Sequence, residues 1–159
     1  MTFDRRQMLF GAAALTVLAA CGRAEAQKYA VTMTDAQWRQ KLGPQAFAVL
    51  RKEATEAPYS SPLNGEKRAG IFACKGCDQA VYSSSAKFES GTGWPSFWQP
   101  LSPKAIGTKT DFKIGLPRTE VHCSRCGGHL GHIFDDGPKP TGKRHCLNGV
   151  ALIFKPGRA

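Results

Sequence analysis

Thr119-Glu120-Val121-His122-Cys123-Ser124-Arg125-Cys126-Gly127-Gly128-His129-Leu130-Gly131-His132-Ile133-Phe134 is the stretch whose reading decides the fold. Two short runs with strand character, Thr119 to His122 and Leu130 to Phe134, flank a CxxC turn followed by two glycines. That is the pattern of an antiparallel hairpin closed on a pair of cysteines. The same pattern stands earlier in the chain: Gly70 to Ala73, then Cys74-Lys75-Gly76-Cys77, then Ala80 to Ser83. Further runs at Asp111 to Leu116 and Gly149 to Phe154, punctuated by Gly and Pro, complete the expected strands. The prediction is an α+β domain, mostly antiparallel β, with most of the sheet in the second half.

The helices come first. Thr34 with Gln37 three residues on reads as a capping box opening a short helix through Trp38 and Leu42, which Gly43-Pro44 breaks. Pro44 suits the first turn of a second helix to about Ala54, with Phe47, Val49 and Leu50 toward one face. Ala57 to Arg68, with two prolines, two serines and Asn64-Gly65, is expected as a loop.

Four of the six cysteines fall in the two CxxC turns. Cys74, Cys77, Cys123 and Cys126 as four thiolates satisfy the tetrahedral preference of Zn²⁺, and one structural zinc would staple the two hairpins across 45 intervening residues. Two disulfides or a redox-active CxxC fit the same spacing. A closed four-cysteine site leaves no coordination position for substrate, so its task would be folding.

Residues 1–26 stand apart from this domain. Arg5-Arg6 precede an apolar run from Met8 to Ala20, as in an export signal of twin-arginine type, and the run is too short to span a bilayer, which needs ~20 residues. Leu18-Ala19-Ala20-Cys21 matches a lipobox that would make Cys21 a lipid anchor, while Ala24-Glu25-Ala26 fits ordinary cleavage before Gln27. The expected location is the periplasm, either free or membrane-anchored as a lipoprotein. The net charge of +10 belongs mainly to residues 27–159, because Arg5, Arg6 and Arg23 against Asp4 and Glu25 contribute only +1. These cations are scattered with no run longer than two, which argues for a solvated basic surface and against nucleic acid as a partner.

Subtracting the CxxC cysteines and Cys21 leaves Cys146, in Arg144-His145-Cys146-Leu147-Asn148. Nearby cations lower a thiol pKa from ~8.5, so Arg144 and His145 mark Cys146 as reactive, although an alternating apolar pattern also suits an inert buried thiol. Ser90 to Phe97 is a glycine-rich turn that presents Trp94, and Gly128 to Pro138 carries His129 and His132 near Asp135 and Asp136. Taken singly, Trp94 fits a core and each histidine fits a hydrogen-bonded surface position. Together they make a thiol, two proton donors, the carboxamide of Asn148 and an aromatic wall, a site suited to reducing a small polar-headed, methyl-bearing group.

The order CxxC, SGTGWPSF, CxxCGGHLGHIFDDGP and GKRHCLN resembles the type B methionine sulfoxide reductases over roughly Thr34 to Pro156. The resemblance implies a β-rich fold of two antiparallel sheets with a cysteine-bound zinc away from the active site. It also implies reduction of methionine R-sulfoxide, mainly in oxidised proteins, and hence repair of oxidative damage in the cell envelope. Carried over by motif, Cys146 is catalytic and Trp94, His129, His132 and Asn148 line the substrate pocket. Cys146 would attack the sulfoxide sulfur, His129 or His132 would protonate the oxygen, and Trp94 would hold the methyl group, leaving a Cys146 sulfenic acid. Many members of the family carry a resolving Cys where this chain has Thr92, so a thioredoxin-like protein or a small thiol is the expected reductant. A monomer is expected. Two other readings use the same cysteines: a zinc-knuckle module binding protein or nucleic acid, and a zinc-dependent thiol-adduct enzyme, which would need an open metal position.

Overall fold

A computed structural model describes residues 29–157, so the export-signal segment and Cys21 lie outside the described residues. The chain opens with α1 (Asp35–Lys52), in which Thr34 and Gln37 form the reciprocal capping box that satisfies two first-turn amides. Gly43 leaves helical geometry at φ 71°, so the element is two helical segments meeting at the Gly43-Pro44 break. Its buried face, Trp38, Leu42, Ala46, Phe47, Val49 and Leu50, joins the domain core.

Among the described residues nine strands follow: β1 (Gly70–Cys74), β2 (Ala80–Ser83), β3 (Lys87–Phe88), β4 (Ser96–Phe97), β5 (Ile106–Asp111), β6 (Arg118–Cys123), β7 (His129–Phe134), β8 (Arg144–Leu147) and β9 (Leu152–Pro156). They form two antiparallel sheets, β2-β1-β9 and β3-β4-β8-β7-β6-β5. Aromatic rings join the sheets: Phe97 of the larger sheet lies 4.9 Å from Phe72 and 4.7 Å from Tyr82 of the smaller, centroid to centroid. All three are fully buried. Burying each ring is worth about 1.5–3 kcal/mol, which makes this interface a main source of stability.

The expected architecture is therefore observed, with three differences in its parts. Asp111 to Leu116 is not a strand. Its alternation Phe112, Ile114, Leu116 mimics one, but Asp111 Oδ1 accepts from the Lys113 amide and Gly115 takes φ 80°, turning the chain into the tip between β5 and β6. Gly149 to Ala151 is a 3-10 turn, so the last strand starts at Leu152. The short β3 and β4 and the strand β8 that carries Cys146 have no apolar run of their own; their pairing partners define them.

Candidate active site

The two cysteine turns are built alike. In each, the first cysteine's carbonyl accepts from the amide four residues on, Asp78 or Gly127, at 2.8 and 2.9 Å. Both of those residues sit in the left-handed region, at φ 64° and 68°. Sulfurs of one turn face sulfurs of the other, with Cys74 to Cys126 at 3.7 Å and Cys77 to Cys123 at 3.5 Å. All four sulfurs lie within 4.8 Å of one another. A metal bound to four thiolates at ~2.3 Å sets tetrahedral edges of ~3.8 Å, so the cluster fits a metal ion held between the turns and does not fit two disulfides formed within them. A Cβ at Gly76 would stand 3.2 Å from the Cys126 sulfur, so a side chain there would crowd the cluster. Cys74 and Cys77 close β1 toward β2, and Cys123 and Cys126 close β6 toward β7; the cluster therefore links the two sheets.

Cys146 lies on the larger sheet, directly opposite Ser96 of β4 on one side and His132 of β7 on the other. Directly paired residues share a face, so the thiol and the imidazole are neighbours. The strands can approach this closely because of Gly131: a Cβ there would stand 2.0 Å from the Cys146 carbonyl oxygen. A cleft of about 170 Å³ opens here, lined by Thr55, Trp94, Arg118, Gly131, His132, Phe134, Cys146, Leu147 and Asn148. A larger cavity, about 640 Å³, lies between α1 and the turn at Pro62–Gly65 and holds neither a thiol nor an imidazole. The chemistry points to the smaller one.

Each wall of the cleft is fixed by identifiable bonds. The Trp94 indole N–H donates to the Glu56 carbonyl at 3.1 Å, setting the ring plane. Asn148 Oδ1 accepts from the Glu56 amide at 2.9 Å and its Nδ2 donates to the Leu130 carbonyl at 3.1 Å. Both ends of the carboxamide are thus engaged by backbone, and Asn148 shapes the wall where the sequence suggested contact with a substrate oxygen. The Glu56 carboxylate takes the amides of Gly149 and Val150 at 2.5 and 2.9 Å, holding the turn after β8.

The histidines occupy different positions. His132 Nε2 is 2.7 Å from Asp111 Oδ2, which Arg118 also meets at 2.6 Å. Burial lowers the His132 pKa, opposed by its bond to Asp111, while the Lys113 amide, His132 and Arg118 together hold Asp111 well below the usual carboxylate range. His132 is therefore a neutral imidazole whose Nε2–H donates to Asp111, leaving Nδ1 to accept. His129 does not line the cleft. It is 2 % exposed, edge-on behind His132 at 5.3 Å, with Nδ1 2.8 Å from Oε1 of the buried Glu120.

The environment of Cys146 also corrects an expectation. Arg144 shares its face and is clamped by Asp136 through two 2.9 Å bonds, with its guanidinium 4.5 Å from the Phe134 ring. His145 points the other way, into the core, where its Nδ1 lies 2.9 Å from the Tyr82 hydroxyl and burial pushes its pKa down to about 4. It is neutral and contributes no positive charge to the thiol. Burial raises the Cys146 pKa, and the guanidinium of Arg144 and the hydroxyl of Thr92 offset only part of that rise. Sequence reasoning missed Thr55, Arg118 and Phe134, which topology alone brings to the cleft, and Asp111 and Glu120, which it brings to the histidines.

The chain matches the SelR domain over residues 42–156. It is 49% identical over 130 residues to the peptide methionine sulfoxide reductase MsrB of Methanosarcina barkeri, covering 82% of this chain and 91% of that protein. To the protein of the same name from Bradyrhizobium diazoefficiens it is 48% identical over 126 residues, covering 79% and 91%. The corresponding Agrobacterium fabrum protein is 43% identical over 126 residues, covering 79% and 93%. A chain matched at this identity across nearly the full length of such proteins belongs to the SelR-domain family, that of the MsrB peptide methionine sulfoxide reductases.

Proposed function

We propose that the chain reduces methionine R-sulfoxide, mainly in oxidised proteins, to methionine, with Cys146 as nucleophile. The observation that carries this is the meeting of Cys146, His132 and Trp94 in one cleft of side-chain size. The thiol and the neutral imidazole stand side by side, so His132 can take the thiol proton as the sulfur attacks and pass it to the sulfoxide oxygen. Asp111 holds His132 in the tautomer this requires, and His129, anchored by Glu120, backs the ring. Oxygen then passes from the methionine sulfur to Cys146: the sulfoxide is reduced by two electrons to the thioether, and the thiol is oxidised by two to a sulfenic acid. Two thiols from a thioredoxin-like protein or a small-molecule donor return Cys146 to the thiol, releasing a disulfide and water. The Trp94 face receives the methyl group by apolar contact while the oxygen turns to His132, and this separation selects one epimer.

Four thiolates at tetrahedral spacing suit zinc, and Cys74, Cys77, Cys123 and Cys126 would hold one structural ion. The Arg5-Arg6 signal supports export to the periplasm and envelope repair, with Cys21 as the residue a lipid anchor would use. The enzyme then acts as a monomer on oxidised polypeptides without a nucleic-acid partner.

Turnover of separated R and S epimers of a blocked methionine sulfoxide with dithiothreitol tests the reading. Wild type is expected to consume R alone and Cys146→Ser neither epimer. Activity that survives in Cys146→Ser, or no turnover of R by metal-loaded wild type, would overturn it.

A further inference from the structure

We propose that the tip of the β5–β6 hairpin is a second substrate subsite, which takes apolar side chains next to the sulfoxide in an oxidised polypeptide; this rests on the reductase reading above. Phe112, Ile114 and Leu116 are 66%, 62% and 67% exposed within five residues of chain. So much exposed apolar surface in one place commonly marks a contact site.

The tip borders the cleft at two points. At its base, Arg118 lines the cleft and Asp111 holds His132. Within the tip, Lys113 meets Glu53 at 2.5 Å, two residues before the cleft-wall residue Thr55. Lys109 at the base meets the same carboxylate at 2.6 Å. These ion pairs tie the tip to the cleft rim and offset the charge of both lysines, while the most exposed side chains of the tip are the apolar ones. Apolar side chains suit it better than anionic lipid does.

The size of the cleft leads to the same occupant. About 170 Å³ admits one side chain, so residues adjoining the oxidised methionine must lie outside it, on the rim. In an extended peptide, side chains on one face recur about every 6.8 Å, so the residues flanking the oxidised methionine lie beyond a cleft of this size.

The test compares kcat/KM, with dithiothreitol as reductant, for three R-sulfoxide substrates: the blocked amino acid, a glycine-flanked pentapeptide and a leucine-flanked pentapeptide. Wild type is expected to favour the leucine-flanked peptide by about tenfold over the glycine-flanked one, through KM. In the F112S/I114S/L116S variant the preference should vanish while turnover of the blocked amino acid is unchanged. Equal values for the two peptides in wild type, or a preference that survives the triple substitution, would overturn the subsite. So would a variant that loses only co-sedimentation with phosphatidylglycerol vesicles, which would make the tip a bilayer contact. Failure of wild type to reduce even the blocked amino acid would instead remove the reductase reading.

Discussion

Cys146 is held by opposing forces: burial favours its neutral thiol, while Arg144 and Thr92 favour the thiolate without prevailing. The resting thiol should therefore ionise above the ordinary cysteine value of ~8.5. Carbamidomethylation of the Cys146 peptide, followed by mass spectrometry across pH, should reach half its maximal rate above that of free cysteine. Arg144→Met should move the midpoint further up, because removing a cation takes support from the charged form. A wild-type midpoint below 8.5 would contradict the balance described. The chemistry at this scale was half legible. Cys146 is what remains once four cysteines are assigned to the CxxC turns and Cys21 to the signal segment, and Trp94, His132 and Asn148 stand in motifs. The sign of the shift was not legible, because strand alternation turns His145 toward Tyr82 and burial outweighs a single guanidinium. Asp111 and Glu120 had no motif to announce them; they become partners of histidines only across paired strands.

The pair β7–β8 carries the site, and its spacing depends on one residue. Gly131 pairs with Leu147, and any Cβ at this position would collide with the Cys146 backbone. Gly131→Ala should cost about 1–3 kcal/mol in urea unfolding, the usual penalty for overpacking. It should also lower kcat/KM by roughly a hundredfold, since a displacement of about 1 Å at a reacting group is costly. Near-normal turnover in this variant would mean that close strand approach does not position the nucleophile. Ala80–Ser83 was legible with its bounds intact, because the apolar run Ala80, Val81 and Tyr82 stands between a CxxC turn and a cluster of serines. Arg144–Leu147 was not, because it places one polar face on the core and the other on the cleft, so no alternation of apolar and polar residues survives. The reverse error at Asp111 to Leu116 has a related cause: that alternation serves an exposed surface on a hairpin tip.

Among the described residues the sheets are joined by the Phe72, Tyr82 and Phe97 rings, by the Tyr82–His145 hydrogen bond and by the four-cysteine cluster. The cluster sits at the Cys123 end of β6 and the cleft at the Arg118 end, five residues away along one strand, or about 17 Å. A metal at that distance cannot touch the substrate, yet it would fix the Cys123 end of β6 against the turn between β1 and β2, and through β6 and β7 the place of His132. Metal and thiol should therefore fail differently. Chelation under mild denaturant, or Cys126→Ser, should release the metal and lower the thermal midpoint by about 10 °C or more, because binding energy at such a site is folding energy. Activity should fall in step with the folded fraction. Cys146→Ser should abolish turnover while metal content and thermal midpoint stay at wild-type values. Metal stoichiometry, thermal unfolding and turnover measured on the same three preparations separate the cases. If a metal-free protein kept its wild-type midpoint, the aromatic rings and the Tyr82–His145 bond would suffice to hold the sheets and the cluster would need another role. If metal loss removed activity from protein that remained fully folded, the ion would act on the chemistry, against the separation of the two sites along β6.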